Sequence, residues 1–222
     1  MKKAIILLSG GLDSTTCMSV AHQEGYELYP ISFNYGQRHQ RELESAKAVA
    51  SYYQVKEHRI FVIDSVGGSA LTDLSISVPA YQQEAGIPVT YVPARNILFL
   101  SYALGYAEVI GAEAIFIGVS SIDYSGYPDC RPEFIEAFQH VAEVGTKAGV
   151  EGKPIAIKTP LIHLSKATTI KLAKANGAPL HLTTSCYQGG EKACGICDSC
   201  TLRLKGFKEA GLVDPIPYES RS

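Results

Sequence analysis

Short apolar runs alternate along the chain with longer stretches of helical period. Residues 4–8 (AIILL) are unbroken apolar, as expected of a strand buried on both faces of a sheet. Residues 28–34, 59–63, 114–119 and 155–158 are further short runs rich in β-branched and aromatic side chains, and they read as strands. Between them, residues 15–25, 37–53, 96–110, 132–148 and 165–176 carry helical spacing. The second of these is polar-faced and rich in Arg, Glu, Lys and Ala, whereas the third is largely apolar. Pro132 suits a first helical turn; Ser165 suits an N-cap and Gly177 the residue just past a helix end. Strands separated by helices predict right-handed crossovers and an α/β fold, a parallel sheet with helices on both faces.

Two segments interrupt that rhythm. Residues 64–96 hold Gly67, Gly68, Pro79, Gly86, Pro88 and Pro93, and a connection of that length is expected to be functional or to hide a short element. Residues 120–131 follow a predicted strand and contain Asp123, Tyr124, Tyr127 and Asp129. In open parallel sheets ligands bind beyond the carboxyl ends of the strands.

Composition removes whole classes. With 222 residues, 46% hydrophobic and net charge −2, the chain is neither disordered nor a coat for nucleic acid. The opening MKKAIILL has only five apolar residues in its run, against about 7–15 for a secretion signal. No stretch reaches the roughly 18 needed to span a membrane, so the expected location is the cytoplasm. Four of the six cysteines fall within residues 186–200, a clustering that suggests a metal site in a reducing compartment rather than a disulfide framework.

Two motifs carry candidate chemistry. Ser9-Gly10-Gly11-Leu12-Asp13-Ser14-Thr15-Thr16 joins the first strand to the first helix. Its glycines permit a tight turn, and the helix start offers free N–H groups and a positive dipole end to phosphate. The hydroxyls of Ser9, Ser14 and Thr15 add donors. Asp13 would repel phosphate and is suited to holding Mg²⁺. The loop lacks the Gly-Lys-Ser/Thr ending of a Walker A motif and is not G-x-G-x-x-G; a plain capped turn is the bland alternative. The second motif is Cys186-x7-Cys194-x2-Cys197-x2-Cys200. Four thiolates and no histidine suggest a closed, structural tetrahedral Zn²⁺ site; an iron–sulfur cluster is the rival, although no ferredoxin-type C-x3-C-P continues the run.

SGGLDSTT resembles the pyrophosphate loop of the ATP pyrophosphatase superfamily. Taken with FNYGQRHQRE at 33–42, VPARNILFLSYA at 92–103, GVSSIDYSGYPDCRPEF at 118–134, TPLIHLSK at 159–166 and TTSCYQGG with CGICDSC at 183–200, the whole chain resembles the 7-cyano-7-deazaguanine synthase (QueC) family. The interval between Cys186 and Cys194 is two residues short for that family. The resemblance implies a Rossmann-like fold of the HUP, adenine nucleotide alpha hydrolase-like type over residues 1–180. It implies a zinc-binding segment over residues 181–222, packed on that domain. It also implies the substrates 7-carboxy-7-deazaguanine, ammonia and ATP with Mg²⁺, no nucleic-acid or membrane partner, and a homodimer. ATP binding falls on Leu8, Ser9, Gly10, Gly11, Leu12, Asp13, Ser14, Thr15, Thr16, Cys17 and Met18, with Cys17 also reading as small core packing on the first helix. The zinc ligands are Cys186, Cys194, Cys197 and Cys200.

Catalytic roles are expected of Asp13, of Arg38 and Arg95 as clamps for phosphate or carboxylate, and of Lys166 at the transferring phosphate. Asp123 or Asp129 is a candidate acceptor for the ring's N–H donors, and Tyr124 or Tyr127 a stacking partner for it. Cys130 is either a thiol nucleophile or a buried bystander, and His39 either an acid/base group or a surface histidine. Two other readings compete: a tRNA-thiolating pyrophosphatase, which would want an RNA-binding domain, and a zinc-ribbon nucleic-acid module. Residues 163–208 carry only +5, modest for a nucleic-acid footprint.

Overall fold

The computed structural model describes residues 1–38, 40–64, 67–73, 75–78, 86–121 and 126–219. Five strands, β1 (Lys3–Leu7), β2 (Glu27–Asn34), β3 (Arg59–Val62), β4 (Ala114–Phe116) and β5 (Ala156–Lys158), form one sheet in the order β3-β2-β1-β4-β5. All pairings are parallel, with Ile5 of β1 registered between Tyr29 of β2 and Ile115 of β4. Seven α-helices accompany them among the described residues: α1 (Leu12–Gln23), α2 (Arg41–Tyr52), α3 (Arg95–Ile110), α4 (Pro132–Gly145), α5 (Lys147–Val150), α6 (Lys166–Ala175) and α7 (Asp198–Glu209). The expected α/β sheet is therefore present, with each strand within a few residues of its predicted place. Among the described residues no helix is long and apolar enough to cross a membrane.

Alternation along the central strands divides the core in two. Ile5, Leu7, Ile31, Phe33, Ile115 and Ile117 pack with Leu100, Ala103 and Ala107 of α3 and with Ile135 and Phe138 of α4. Ala4, Ile6, Leu8, Ala114 and Phe116 point the other way, against Cys17 and Met18 of α1 and Val49 and Ala50 of α2. A strand buried on both faces needs no polar positions, which is why the run at residues 4–8 is continuous. The chain moves outward from β1 to β3 and then returns to β4 on the other side of β1. That reversal opens a crevice beyond the carboxyl ends of β1 and β4, the usual ligand position in such sheets.

Helix ends depart from the hydrophobic pattern. Helix α1 begins at Leu12, three residues before the apolar period suggested, so Asp13 and Ser14 lie in its first turn. Helix α2 begins only at Arg41, because Gln37 spends its side chain on the backbone of Phe33 and Tyr35. The helix expected over 132–148 breaks at extended Thr146, whose hydroxyl donates to Ala142 O and whose oxygen accepts Gly149 N–H. Ser165 and Gly177 cap α6 as expected, the former accepting Thr168 N–H and the latter at φ +68°.

A candidate phosphate and metal site at the sheet switch point

The loop after β1 is shaped by close backbone packing. Gly10 has φ +84°, and a Cβ there would meet Glu42 O of α2 at 2.3 Å; both the conformation and the space demand glycine. A Cβ on Gly118, just past β4, would lie 2.9 Å from Ser14 N, so β4 delivers the chain directly against the first turn of α1. Inside the loop, Gly11 N–H donates to Ser9 Oγ at 3.2 Å, and the Ser9 and Ser14 hydroxyls lie 3.1 Å apart. Ser14 Oγ donates to Gly11 O at 3.1 Å. Thr184 N–H donates to Gly10 O at 3.0 Å, tying a C-terminal segment to the loop.

Lys166, the first residue of α6, crosses to this loop. Its Nζ lies 2.9 and 2.7 Å from the two carboxylate oxygens of Asp13. Both side chains are partly exposed to a cavity of about 290 Å³. One part of its wall is polar, with Ser9, Gly11, Asp13, Ser14, Lys166 and Ser185; another is aromatic and apolar, with Phe33, Tyr35, Leu71, Phe99 and Tyr127. Arg95 also faces the cavity and places Nη1 3.4 Å from Tyr35 Oη. An anion-binding loop, two cations and an aromatic wall suit a ligand with a phosphate chain and a flat ring.

Asp13, Arg95 and Lys166 thus meet in one cavity, and Arg38 does not: it donates to Ile76 O at 3.0 Å and lies outside the lining. Of the predicted nucleotide stretch, Leu8, Ser9, Gly11, Leu12, Asp13 and Ser14 line the cavity, with Gly10 buried beneath them. Thr15 and Thr16 are fully buried, and Cys17 and Met18 belong to the core between α1 and the sheet. Asp129 is buried, its carboxylate accepting Asn96 N–H at 2.9 Å and its carbonyl accepting Asn96 Nδ2 at 3.0 Å; it holds the start of α3. Tyr127 lines the cavity with its hydroxyl 2.8 Å from Thr90 Oγ1. Cys130 lines it as well, but burial and the neighbouring Asp129 carboxylate push its thiol up to about 12. It stays protonated at neutral pH, unsuited to nucleophilic attack. His39, Asp123 and Tyr124 lie outside the described residues.

The four clustered cysteines converge. The sulfurs of Cys186, Cys194, Cys197 and Cys200 all lie within 4.8 Å of one another. A tetrahedral thiolate site with bonds of about 2.3 Å has edges of about 3.8 Å, so a metal ion fits with slight contraction. The thiols of Cys197 and Cys200 and the N–H groups of Cys194 and Gln188 donate to Cys186 and hold it well below the ordinary thiol range. The same sharing pushes Cys197 and Cys200 up. Such a group can hold all four sulfurs ionised only around a cation.

Sequence reading missed how this cluster is joined to the loop. Helix α7 starts beside Cys197 and carries Arg203, only 2% exposed, whose partner Asp214 is 4% exposed. Arg203 donates Nε and Nη2 to the two Asp214 oxygens at 2.7 and 2.9 Å, and Nη1 to Thr183 Oγ1 at 2.8 Å and Ser185 Oγ at 3.3 Å. Those two residues flank Thr184, the donor to Gly10. Tyr218 Oη donates to Asp214 at 2.7 Å, and the tail pairs backbone to backbone with Ala193 beside the cysteines. No spacing rule links Arg203 to Asp214, so only their buried contact identifies them. Asp214→Ala strands a buried guanidinium and should cost about 3–5 kcal/mol. Chemical denaturation would measure it, and a loss below 1 kcal/mol (about fivefold in the folding equilibrium) would contradict the clamp.

Comparison with known proteins is consistent along the whole chain. The family described as "Queuosine biosynthesis protein QueC" matches residues 3–211. A 7-cyano-7-deazaguanine synthase 2 of Desulfitobacterium hafniense (strain Y51) is 78% identical over 218 residues, covering 98% of this chain and 94% of that one. A 7-cyano-7-deazaguanine synthase of Acetivibrio thermocellus is 70% identical over 222 residues, covering 100% of both. Among solved structures, an NMN synthetase from Francisella tularensis superposes with TM-score 0.52 at 15% identity, over 96% of this chain and 78% of that one; at that identity the likeness concerns the fold.

Proposed function

The chain belongs to the queuosine biosynthesis protein QueC family, and we propose that it converts 7-carboxy-7-deazaguanine and ammonia to 7-cyano-7-deazaguanine at the expense of ATP. The observation that carries this reading is the meeting of Asp13, Lys166 and the loop Ser9–Ser14 in one cavity with an aromatic wall. A carboxylate resists attack by ammonia, so its oxygen must first become a leaving group. Attack of that oxygen on the α-phosphorus of ATP expels pyrophosphate, and ammonia then displaces AMP to give the amide. A second attack, by the amide oxygen, again expels pyrophosphate, and loss of AMP and of both N–H protons leaves the nitrile. One nucleotide site used twice suffices, with catalysis supplied by positioning and charge stabilisation.

In this reading the loop N–H groups and the Ser9 and Ser14 hydroxyls hold the departing pyrophosphate, and Lys166 neutralises its charge. Asp13 would hold a Mg²⁺ ion here, and that ion would supply charge neutralisation to the phosphates. Arg95 is the clamp for the substrate carboxylate beside the aromatic wall, and Arg38, itself outside the cavity lining, bonds the backbone of Leu71 and Ile76 and steadies that wall. The cysteine cluster takes Zn²⁺, a closed site with no open coordination position and hence structural. Residues 181–222 form the metal-bearing segment packed on the nucleotide domain, and the family resemblance extends to a cytoplasmic homodimer.

The test incubates pure protein with ATP, Mg²⁺, ammonia and 7-carboxy-7-deazaguanine, and looks for the nitrile by mass and for AMP. Nitrile with AMP is the expected result. No nitrile and no substrate-dependent AMP would sink the reading.

A further inference from the structure

Helix α7 approaches α6 at one point more closely than any side chain permits. Gly206 is buried in the middle of α7, and a Cβ built on it would stand 2.5 Å from Cγ and 2.9 Å from Cβ of Lys166, and 3.0 Å from Ile170 Cδ1. Of these, the Lys166 Cβ is fixed by the first turn of α6 and cannot swing aside, and the Cγ can move only by rotating the whole side chain about χ1, which redirects its Nζ. A mid-helix glycine lowers helix propensity relative to alanine. Here the absent side chain leaves the groove along which the Lys166 stem runs toward Asp13, where Nζ arrives at 2.7 Å.

We propose that Gly206 is a positioning residue for the phosphate site, acting through Lys166. The same helix begins at Cys197 of the cysteine cluster and carries the Arg203 clamp. Gly206 is therefore the point where the metal-bearing segment sets the direction of the lysine that faces the loop. A methyl group at residue 206 forces the Lys166 stem to turn or α7 to lift, and either movement takes Nζ from the loop. The inference rests on the loop's reading as a phosphate site, and it adds a residue that contacts neither substrate nor metal.

The experiment is a two-by-two cycle on the metal-loaded protein with Gly206→Ala, Lys166→Gly and the double variant. It reads binding of Mg²⁺-pyrophosphate by calorimetry, with thermal stability and metal content alongside. Wild type should bind. Gly206→Ala should bind about tenfold or more weakly, the size of a lost charge-assisted contact, with its metal retained. Lys166→Gly should match it, and the double variant should show no further loss, because both changes remove the same lysine contact. The double variant should also regain stability lost in Gly206→Ala, since the lysine stem is gone; should Gly206→Ala fail to fold alone, folding of the double variant upholds the contact. Wild-type affinity in Gly206→Ala would overturn the proposal, as would additive losses or failure to fold in both backgrounds. Absence of pyrophosphate binding in the wild type is a separate outcome that overturns the phosphate-site reading itself.

Discussion

Asp13→Asn should yield a folded, metal-containing protein that forms no nitrile. The Asp13 carboxylate takes both short contacts from Lys166, and it stands in the first turn of α1 beside the loop's free N–H groups. An amide of the same shape keeps the packing and removes the charge. It then cannot hold Mg²⁺ as an anionic ligand or anchor the ammonium through both oxygens. Loss of one preorganised electrostatic contact at a developing charge costs about 10²–10³ in rate. Here the metal-ligand role and the lysine-orienting role fail together, so turnover should fall below detection. Folding should respond little, because the amide keeps the shape of the carboxylate and an oxygen to accept from Lys166, and both side chains keep access to the cavity. Rates of AMP release, melting temperature and metal content measured on one preparation separate these effects. Turnover within tenfold of wild type would remove Asp13 from the chemistry.

The second large effect concerns the cysteines. Cys197→Ser should empty the metal site and release the C-terminal segment. Cys197 is buried, accepts no replacement ligand among the described residues of the cluster, and directly precedes α7. Thiolate sites of this kind bind zinc with about 10–16 kcal/mol in small peptides, which is as large as the stability of a whole domain. The small buried cluster of Cys186, Ala193, Cys197 and Cys200 has few apolar neighbours of its own, and the Arg203–Asp214 clamp holds the helix beside it rather than the cysteine turn itself. The nucleotide domain keeps its own two-sided core, so far-ultraviolet dichroism should change modestly. Limited proteolysis should instead cut within residues 186–219, and activity should fall because α7 carries both the Arg203 clamp and the Lys166 seat. Prolonged treatment with a zinc chelator should reproduce the same digestion pattern. Full metal content in the variant would refute the ligand assignment.

Much of this was readable from order and spacing. Continuous apolar runs announced a doubly covered parallel sheet, and SGGLDS placed a tight glycine-bearing loop at the end of its first strand. The C-x2-C-x2-C run announced a cysteine cluster able to hold a metal ion, because its sulfurs come from one short stretch. Element ends were less legible. The start of α1 inside the loop, the delay of α2 and the break at Thr146 each depend on a side chain bonding backbone, which hydrophobic period does not register. Helix α7 carries only a weak apolar period, so hydrophobic spacing does not announce it. Arg38 and Arg95 look alike in the sequence; in the fold Arg95 lines the cavity and Arg38 does not, and a linear motif carries no such information.

By itself, then, the chain's sequence determined the fold class, the glycine-bearing loop after the first strand and the cysteine quartet, since each is written in residues that are neighbours or nearly so. Tertiary structure alone decided which charged groups meet. The Asp13–Lys166 contact spans 153 positions, and the Arg203 guanidinium joins Thr183 and Ser185 on one stretch to Asp214 on another. The seat that Gly206 leaves for Lys166 exists only between two packed helices. Local preference selects elements, but contacts over such separations arise only when burial of the shared core brings those elements together.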